Sequence, residues 1–238
     1  MTKQSEIESL LSAIITLFAD EFGSGAILRG GMVLRLLDSP RLTNDLDYLF
    51  VPFKSKNEIT KAVVTALRTL DGVEVSYSLN SKCLRCIVKR GEIVVQVEAK
   101  VDRVCKVDTL STAVLSKLHN QTPRVINVMA HEIALAHKLA AWYERRLIRD
   151  LYDTYLFLSM GVMPDREILA KRLQKPIFSK KVKTSKTHIE LDNFFAFLRH
   201  EVESLSNDEV DQELGAILPN EELLGLELKM KKAIMSKF

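Results

Sequence analysis

The chain has 238 residues, 47% of them hydrophobic and 27% charged, with a formal net charge of +3 at pH 7. A chain of this length can form a substantial core. The small net charge excludes a protein that is basic over its whole surface, so any contact with nucleic acid has to come from a local patch of positive charge. No apolar run approaches the roughly 20 residues of a membrane span, and the N-terminal residues lack the apolar core of a signal peptide. The small, odd number of cysteines, three, fits a reducing cytosol better than a set of disulfide bonds. We therefore expect a cytoplasmic protein without a membrane partner.

The first elements predicted are a helix and then a strand that ends in a glycine pair. Residues 5–22 have the spacing of an amphipathic helix, and a short apolar run at 26–28 is suited to a buried strand. Gly30 and Gly31 follow it. Two glycines allow a tight turn and let an anion approach the main-chain N–H groups, and the next helix, at 32–37, would add its dipole. The pair therefore predicts a phosphate-binding turn.

The next strand, predicted at 44–51, carries two aspartates in an otherwise apolar run. Asp45 and Asp47 are two residues apart, so their side chains share one face of the strand. Adjacent carboxylates repel each other, and a divalent cation relieves the repulsion; hard oxygen ligands beside a phosphate suit Mg²⁺. A phosphate-binding turn joined to a carboxylate pair is typical of metal-assisted phosphoryl or nucleotidyl transfer.

Three further strand-like segments, at 73–79, 83–90 and 92–101, predict a meander of hairpins. The last of them alternates an apolar face with a polar one that carries Glu98 and leads to Asp102. If that polar face adjoins the two aspartates, either residue would supply a third carboxylate. The alternative is a solvated strand face.

Residues 112–118 and 124–129 are expected to form two more strands, and from residue 130 onward the pattern is helical. The predicted helices span 130–146, 149–160, 164–174, 188–205, 208–218 and 221–236. We therefore predict an α+β protein, with a mixed sheet and flanking helices in residues 1–125 and an all-helical C-terminal domain in residues 126–238.

A second concentration of charge lies at the start of the helical half. Lys138, Arg145 and Arg149 fall close to one helical face if the helix continues through all three, and Asp150 and Asp153 lie on neighbouring turns. Lysine serves well as a point-charge ligand for phosphate, so Lys138 would neutralise a triphosphate. The alternative is a solvated helix with salt bridges along its surface.

A basic segment at 171–188 contains seven lysines and arginines and no acidic residue. Such a run would hold a phosphodiester backbone with salt-dependent affinity, although its single aromatic residue, Phe178, offers little base stacking. The alternative is an exposed loop. We predict a weak RNA-binding segment whose contact residues are Lys175, Lys180, Lys181, Lys183 and Lys186.

These motifs together resemble a known family. The glycine pair followed by Asp45-Leu46-Asp47 resembles the first two motifs of the DNA polymerase β-like nucleotidyltransferase superfamily. The fuller string is similar to its AbiEii/AbiGii branch, toxins of bacterial toxin–antitoxin and phage-abortive-infection systems, as are the later strings KLAA and RDLYD. The resemblance covers about residues 25–160. The chain departs from the pattern of the branch at Met32. At this position the branch usually has Ser or Thr, whose hydroxyl makes a contact with a phosphate or with the ligands around the metal.

The resemblance implies a polymerase β-like fold whose helical domain completes the active-site cleft. It implies an Mg²⁺-dependent enzyme that binds an NTP between the glycine pair and Lys138. The implied metal ligands are Asp45, Asp47 and Glu98, the last being either a ligand or a base. The wall of the site would be completed by an Arg-Asp pair, namely Arg149 with Asp150 or Asp153.

The implied reaction is transfer of NMP from the NTP to an RNA acceptor, with the tRNA 3′ end favoured, and release of pyrophosphate. A cognate antitoxin is the implied protein partner. Two other functions stay open from the residues alone. One is nucleotidyl transfer to a protein or small-molecule hydroxyl, which would not need the basic segment. The other is a non-catalytic nucleotide-binding module, which Met32 and a glutamate at the third acidic position would suit.

Overall fold

The computed structural model of the protein describes residues 2–174 and 189–238. The chain divides into two compact units. The first comprises Met1–Asp38 and Thr43–Met129, and the second comprises Ser39–Leu42 and Ala130–Phe238. The sequence predicted a single domain boundary near residue 125. It did not predict that the short segment Ser39–Leu42 belongs to the second unit.

The first unit is built on a mixed sheet. Its strands are β1 (Ala26–Arg29), β2 (Asp45–Phe50), β3 (Glu74–Leu79), β4 (Leu84–Arg90), β5 (Ile93–Val101), β6 (Val107–Ser111) and β7 (Val125–Met129). Its α-helices in the described residues are α1 (Lys3–Phe22), α2 (Gly31–Leu36), α3 (Lys56–Leu67) and α4 (Ala113–Leu118). The strand order is β3-β4-β5-β2-β1-β7-β6, with β2 parallel to β5 and β1 parallel to β7. The antiparallel pairs β3–β4 and β4–β5 confirm the predicted meander.

Helices α1 and α3 cover one face of the sheet. Period-2 alternation sends Leu46, Tyr48 and Phe50 of β2 into a core shared with both helices. The ring of Phe18 in α1 lies edge-on to Tyr48 and Phe50, with centroids 4.9 and 5.8 Å apart, and Val63 of α3 belongs to the same core. The remaining residues of β2 and β5 therefore lie on the opposite face, which is the polar one.

The expectation of a strand at 112–118 is wrong. Strand β6 ends at Ser111, and α4 follows it. Two contacts support the helix: Leu115 packs into the core, and the hydroxyls of Thr112 and Ser116 lie 3.0 Å apart, one helical turn from each other. The β-branched Thr112 and Val114 favoured the strand, and tertiary packing overrode that preference. The strand predicted at 124–129 is confirmed as β7.

The described residues of the second unit form helices throughout. These are α5 (His131–Arg145), α6 (Ile148–Ser159), α7 (Arg166–Leu173), α8 (Leu191–Glu203), α9 (Asn207–Leu214), α10 (Asn220–Leu223) and α11 (Leu226–Met235). The segment Ser39–Leu42 is joined to them by a hydrogen bond that the Leu42 N–H donates to the Ile217 carbonyl at 2.8 Å. In the part of the chain that the structure describes, no helix is sufficiently long and apolar to cross a membrane.

The charged stretch is divided between two helices, as the predicted helices at 130–146 and 149–160 imply. Arg146 adopts a left-handed backbone conformation, with φ of 54°, and ends α5. Helix α6 then starts at Ile148. Because the helix does not continue, the condition under which Lys138, Arg145 and Arg149 would share one helical face is not met, and Lys138 and Arg149 lie on different helices.

Candidate active site

The two aspartates of β2 lie on the polar face of the sheet. Between them Leu46 is fully buried in the core, so alternation turns Asp45 and Asp47 outward together. Asp45 is exposed, and the Asp47 side chain keeps 33% of its surface exposed. The Asp45 N–H donates to the hydroxyl of Thr43 at 3.4 Å. The pair is thus fixed by a central strand and remains accessible.

The parallel register of β2 and β5 places the third predicted acid beside this pair. Asp47 lies opposite Glu98, and Asp45 lies opposite Gln96. Asp102 lies one residue beyond the end of β5, where its backbone pairs with Phe50. Of the two candidates for the third carboxylate, the structure therefore brings Glu98 to the aspartates on the same sheet face.

Two arginines that the sequence analysis did not single out lie across from these acids. Arg29 of β1 is opposite Asp47, with Nη2 3.8 Å from Oδ1. Arg85 of β4 is opposite Glu98 and donates from Nη2 and Nε to Oε1 at 2.8 and 3.1 Å. Gln96 donates to the same oxygen at 3.2 Å. The hydrogen bond to Glu98 is the main cause that raises the pKa of Arg85.

A third cation, Lys100, shares this face. It lies two residues after Glu98 on β5 and is half-buried. Burial lowers the pKa of Lys100, and Arg29 lowers it further, while Asp47 and Glu98 oppose the shift. Three cations therefore accompany three carboxylates on the sheet, so the mutual repulsion that the sequence suggested is offset within the protein itself.

The glycine pair lies against Asp47. Gly30 has φ of 81° and ψ of −154°, a region that side chains rarely enter, and a methyl group added to it would collide with the Asp47 carboxylate. Gly31 is the first residue of α2. Met32, the residue at which the chain departs from the family pattern, is fully buried in the core, so in this chain the position serves packing.

The carboxylates of Asp45 and Asp47 suit a metal ion that is held jointly by the protein and by the phosphates of a substrate. Mg²⁺ in nucleotide enzymes is held by one or two carboxylates plus substrate phosphates. Asp45 and Asp47 provide oxygen donors of that kind, whereas Oε1 of Glu98 is already occupied by Arg85 and Gln96. No three His, Cys, Asp or Glu side chains of the described residues are grouped to hold a metal. The donor set therefore fits Mg²⁺ bound together with a phosphate ligand.

A second charged cluster lies in the helical unit. Asp150 and Asp153 of α6 are both fully buried. Arg145 donates to both oxygens of Asp150, at 2.6 and 2.7 Å. The Lys138 ammonium lies 2.5 Å from Oδ2 of Asp153 and 3.8 Å from Oδ1 of Asp150. Buried carboxylates have to be paired with cations, and these contacts supply the pairing.

Arg41 completes this cluster from the Ser39–Leu42 segment. Its Nη1 lies 3.5 Å from Oδ1 of Asp153, and the arginine side chain is 11% exposed. In the described residues neither oxygen of Asp153 has a partner in hydrogen-bond geometry, and neither do Nε and Nη1 of Arg41. Asp150 is thus saturated by Arg145, while Asp153 retains hydrogen-bonding capacity that a ligand or water would use.

Arg149 does not join the cluster. Its side chain is exposed, and its backbone N–H donates to the carboxylate of Glu213 at 3.1 Å. The arginines that pair with the two buried aspartates are Arg145 and Arg41. The predicted RNA-binding residues Lys175, Lys180, Lys181, Lys183 and Lys186 lie outside the described residues.

Comparison with known proteins agrees with this architecture. The family model described as "Nucleotidyl transferase AbiEii toxin, Type IV TA system" matches residues 13–233. No curated protein sequence matches the chain. The chain is similar to the structure of MenT4, a nucleotidyltransferase toxin of Mycobacterium tuberculosis H37Rv, with a TM-score of 0.64 and 17% identity over 99% of this chain and 85% of that one. It is also similar to JHP933 from Helicobacter pylori, with a TM-score of 0.56 and 16% identity over 99% of this chain and 92% of that one. The predicted α+β fold class is confirmed.

We expect Gly30→Ala to destabilise the protein for two reasons. The backbone dihedral angles of residue 30 are unfavourable for alanine and alone should cost about 1–3 kcal/mol. The added methyl group would also displace the Asp47 carboxylate, which should increase the cost. Gly72→Ala is the matched control, since Gly72 has φ of 65° and open space around it. The free energy of unfolding in urea is the measurement. In the double variant Gly30→Ala/Asp47→Ala, part of the loss should be recovered; strictly additive losses would contradict the predicted collision.

Asp150 and Asp153 are expected to differ in their contribution to stability. Asp150→Asn removes a doubly hydrogen-bonded buried partner of Arg145 and should cost about 3–5 kcal/mol of unfolding free energy. Asp153→Asn removes a carboxylate that makes ion pairs without hydrogen bonds, so its cost should be smaller. Urea denaturation of the two isosteric variants gives the comparison. An equal or larger loss for Asp153→Asn would show that Asp153 is the structural member of the pair.

Proposed function

The chain belongs to the AbiEii nucleotidyl transferase toxin family of type IV toxin–antitoxin systems, and from this we propose an Mg²⁺-dependent enzyme that transfers NMP from an NTP to an RNA acceptor. The resemblance drawn from the motifs is confirmed at the level of the family. The observation that carries the finer proposal is the pair Asp45 and Asp47, exposed side by side on a central strand and adjoining Gly30.

Asp45 and Asp47 are the proposed metal ligands. Mg²⁺ would neutralise the triphosphate and polarise the phosphoryl group that is transferred. The chain's own contribution is to hold both carboxylates on one rigid strand, with Arg29 and Lys100 limiting their repulsion before substrate binds. Because the donors are oriented in advance, little reorganisation is needed when the nucleotide arrives.

The proposed phosphate ligands are the turn Gly30-Gly31 and Lys138. The turn lacks side chains that would keep a phosphate from its N–H groups. Lys138 is 16% exposed and is held between Asp150 and Asp153. Three cations surround these two carboxylates, which leaves a net positive charge for an anionic ligand. In this proposal Asp153 positions Lys138 and Arg41, and Asp150 anchors Arg145.

Glu98 is proposed to accept the proton of the attacking hydroxyl. Its oxygen Oε1 receives the hydrogen bonds from Arg85 and Gln96, which fix the carboxylate beside Asp47 and leave Oε2 to act as the base. The hydroxyl then attacks the α-phosphorus of the NTP, the bond from that phosphorus to the bridging oxygen breaks, and pyrophosphate leaves. Arg149, whose side chain is exposed, is proposed to contact the nucleotide only peripherally.

The proposed acceptor is RNA, with the tRNA 3′ end favoured, and the proposed site of action is the cytoplasm, where NTP and RNA are available. The basic segment at 171–188 supports an RNA acceptor because it carries only positive charges. A cognate antitoxin is the proposed protein partner, as the type IV toxin–antitoxin family implies.

Asp47→Asn should lower nucleotidyl transfer by about a hundredfold or more, because an amide replaces an anionic metal ligand worth several kcal/mol of transition-state stabilisation. Asp71→Asn, an exposed turn carboxylate, is the matched control and should retain full activity. The measurement uses Mg²⁺ and each α-labelled NTP in turn, with total cellular RNA in one reaction and a protein extract in another. Label in a small-RNA band, lost in Asp47→Asn, is the expected result.

Other outcomes of the same experiment are equally decisive. Label that enters only protein, or only a small molecule, would contradict an RNA acceptor and establish transfer to another hydroxyl. Full activity of Asp47→Asn would contradict the assigned metal ligand. Failure of the folded wild-type protein to label any acceptor or bind NTP with Mg²⁺ in calorimetry would contradict the catalytic proposal.

Replacing Lys180, Lys181 and Lys183 with Gln should raise the KM for RNA while leaving the KM for NTP unchanged, because these lysines would contact only the acceptor backbone. The dependence of log KM on log salt should flatten by about 0.7 for each phosphate that the variant no longer neutralises. Replacing the exposed Lys61, Lys89 and Lys117 with Gln changes the net charge equally and serves as the control. Unchanged turnover of RNA in the first variant would show that the basic segment is dispensable.

A further inference from the structure

A groove of about 330 Å³ lies in the helical unit, beside α7 and α8 and the residues that follow α11. Its lining combines apolar side chains with charged ones, among them Met163, Arg166, Asp192, Arg199, Lys237 and Phe238. The volume is at the lower end of the range for small-ligand sites, about 300–1,000 Å³. Neither the metal-binding nor the phosphate-binding residues proposed above belong to it.

Two aromatic side chains, Phe195 and Phe238, line the groove. The rings of Phe195 and Phe238 are stacked, with centroids 4.6 Å apart and planes 11° from parallel. Phe195 is buried, whereas Phe238 is only half-buried and Met163 is 46% exposed. Phe238 therefore combines a partly exposed apolar side chain with a stacking contact to a second, buried ring. Such a surface is suited to stacking a base, since every base has a π-face.

Three cationic side chains, those of Arg166, Arg199 and Lys237, also line the groove. Arg166 forms an ion pair with Asp192, at 3.5 Å, and its guanidinium carbon lies 5.5 Å from the Phe195 ring centroid. Arg199 and Lys237 are exposed and form no ion pair within the described residues. Among the lining side chains, one acid accompanies three cations, so these side chains carry a net positive charge that favours an anionic ligand. By contrast, a larger cavity of about 490 Å³ in the same unit is lined by Glu201, Glu209 and Glu213.

We propose that this groove binds a single-stranded nucleotide of the acceptor RNA. Its base stacks on Phe238 and Met163, and its phosphate lies between Arg199 and Lys237. This assignment rests on the proposed function, because it supposes that RNA is the acceptor. An aromatic platform with unpaired cations is the combination that binds single strands largely without regard to sequence, by stacking and by contact with the backbone.

The test measures binding of a fluorescein-labelled single-stranded RNA dodecamer to the full chain, by anisotropy at several salt concentrations. The variant Arg199→Glu/Lys237→Glu should weaken binding about tenfold or more and reduce the slope of log K against log salt by about 0.7, because the contact with one phosphate is lost. Lys229→Glu/Lys232→Glu makes the same charge change on exposed residues of α11 outside the groove and should bind as wild type.

Phe238→Leu keeps an apolar side chain but loses the π-face, and should weaken binding at least several-fold with an unchanged salt slope. Urea denaturation establishes that each variant is folded.

The outcomes separate this inference from the proposed function. If wild type binds and labels RNA and the groove variants match the α11 control, the groove assignment is overturned while RNA transfer stands. If wild type labels only protein and binds no RNA, the acceptor proposed above is overturned, and the groove assignment with it. An acidic peptide of equal charge that competes as well as RNA, with Phe238→Leu unchanged, would overturn the nucleotide assignment. In the transfer assay the groove variants should raise the KM for RNA without altering the KM for NTP.

Discussion

The alternation of side chains along β2 is the constraint on which the candidate site depends. Leu46, Tyr48 and Phe50 are held in the core by α1 and α3, and for that reason Asp45 and Asp47 have to face the other way. A shift of register by one residue would bury both carboxylates and expose the core residues, at a cost that no local interaction would offset. The energy that folds the first unit therefore also orients its acidic pair.

The two units stabilise their carboxylates differently. On the sheet, the acids stay partly exposed, and cross-strand cations such as Arg29 and Arg85 offset them at contacts that solvent still screens. In the helical unit, Asp150 and Asp153 are fully buried, so their pairing with Lys138 has to be close. The first arrangement leaves carboxylate oxygens accessible, as the proposed metal ligands have to be, and the second holds Lys138 between two buried carboxylates. Both arrangements suit a nucleotidyltransferase, in which positioning and charge stabilisation account for most of the catalysis.

Local spacing predicted the features that one segment carries by itself. The shared face of Asp45 and Asp47, the strand–turn–helix around Gly30, and the hairpins that bring Glu98 onto a polar face all follow from periodicity. The pairing of Arg85 with Glu98 could not be predicted in this way, because it depends on the register between two strands. The burial of Met32 was missed for the same reason, since packing against other elements decides it.

The sequence by itself therefore determined the family, most of the elements apart from β6 and α4, and which acidic residues share a strand face, since motifs and periodicity are properties of short segments. Only the tertiary structure decided which cations accompany those acids. It placed Arg41 from the Ser39–Leu42 segment against Asp153 and left Arg149 exposed, and it separated a saturated Asp150 from an Asp153 with unused hydrogen-bonding capacity. It also joined Phe195 and Phe238, 43 residues apart in the chain, into one stacked platform. The physical reason is that charge pairing and ring stacking act over a few ångströms in space, and separation along the chain does not determine that distance.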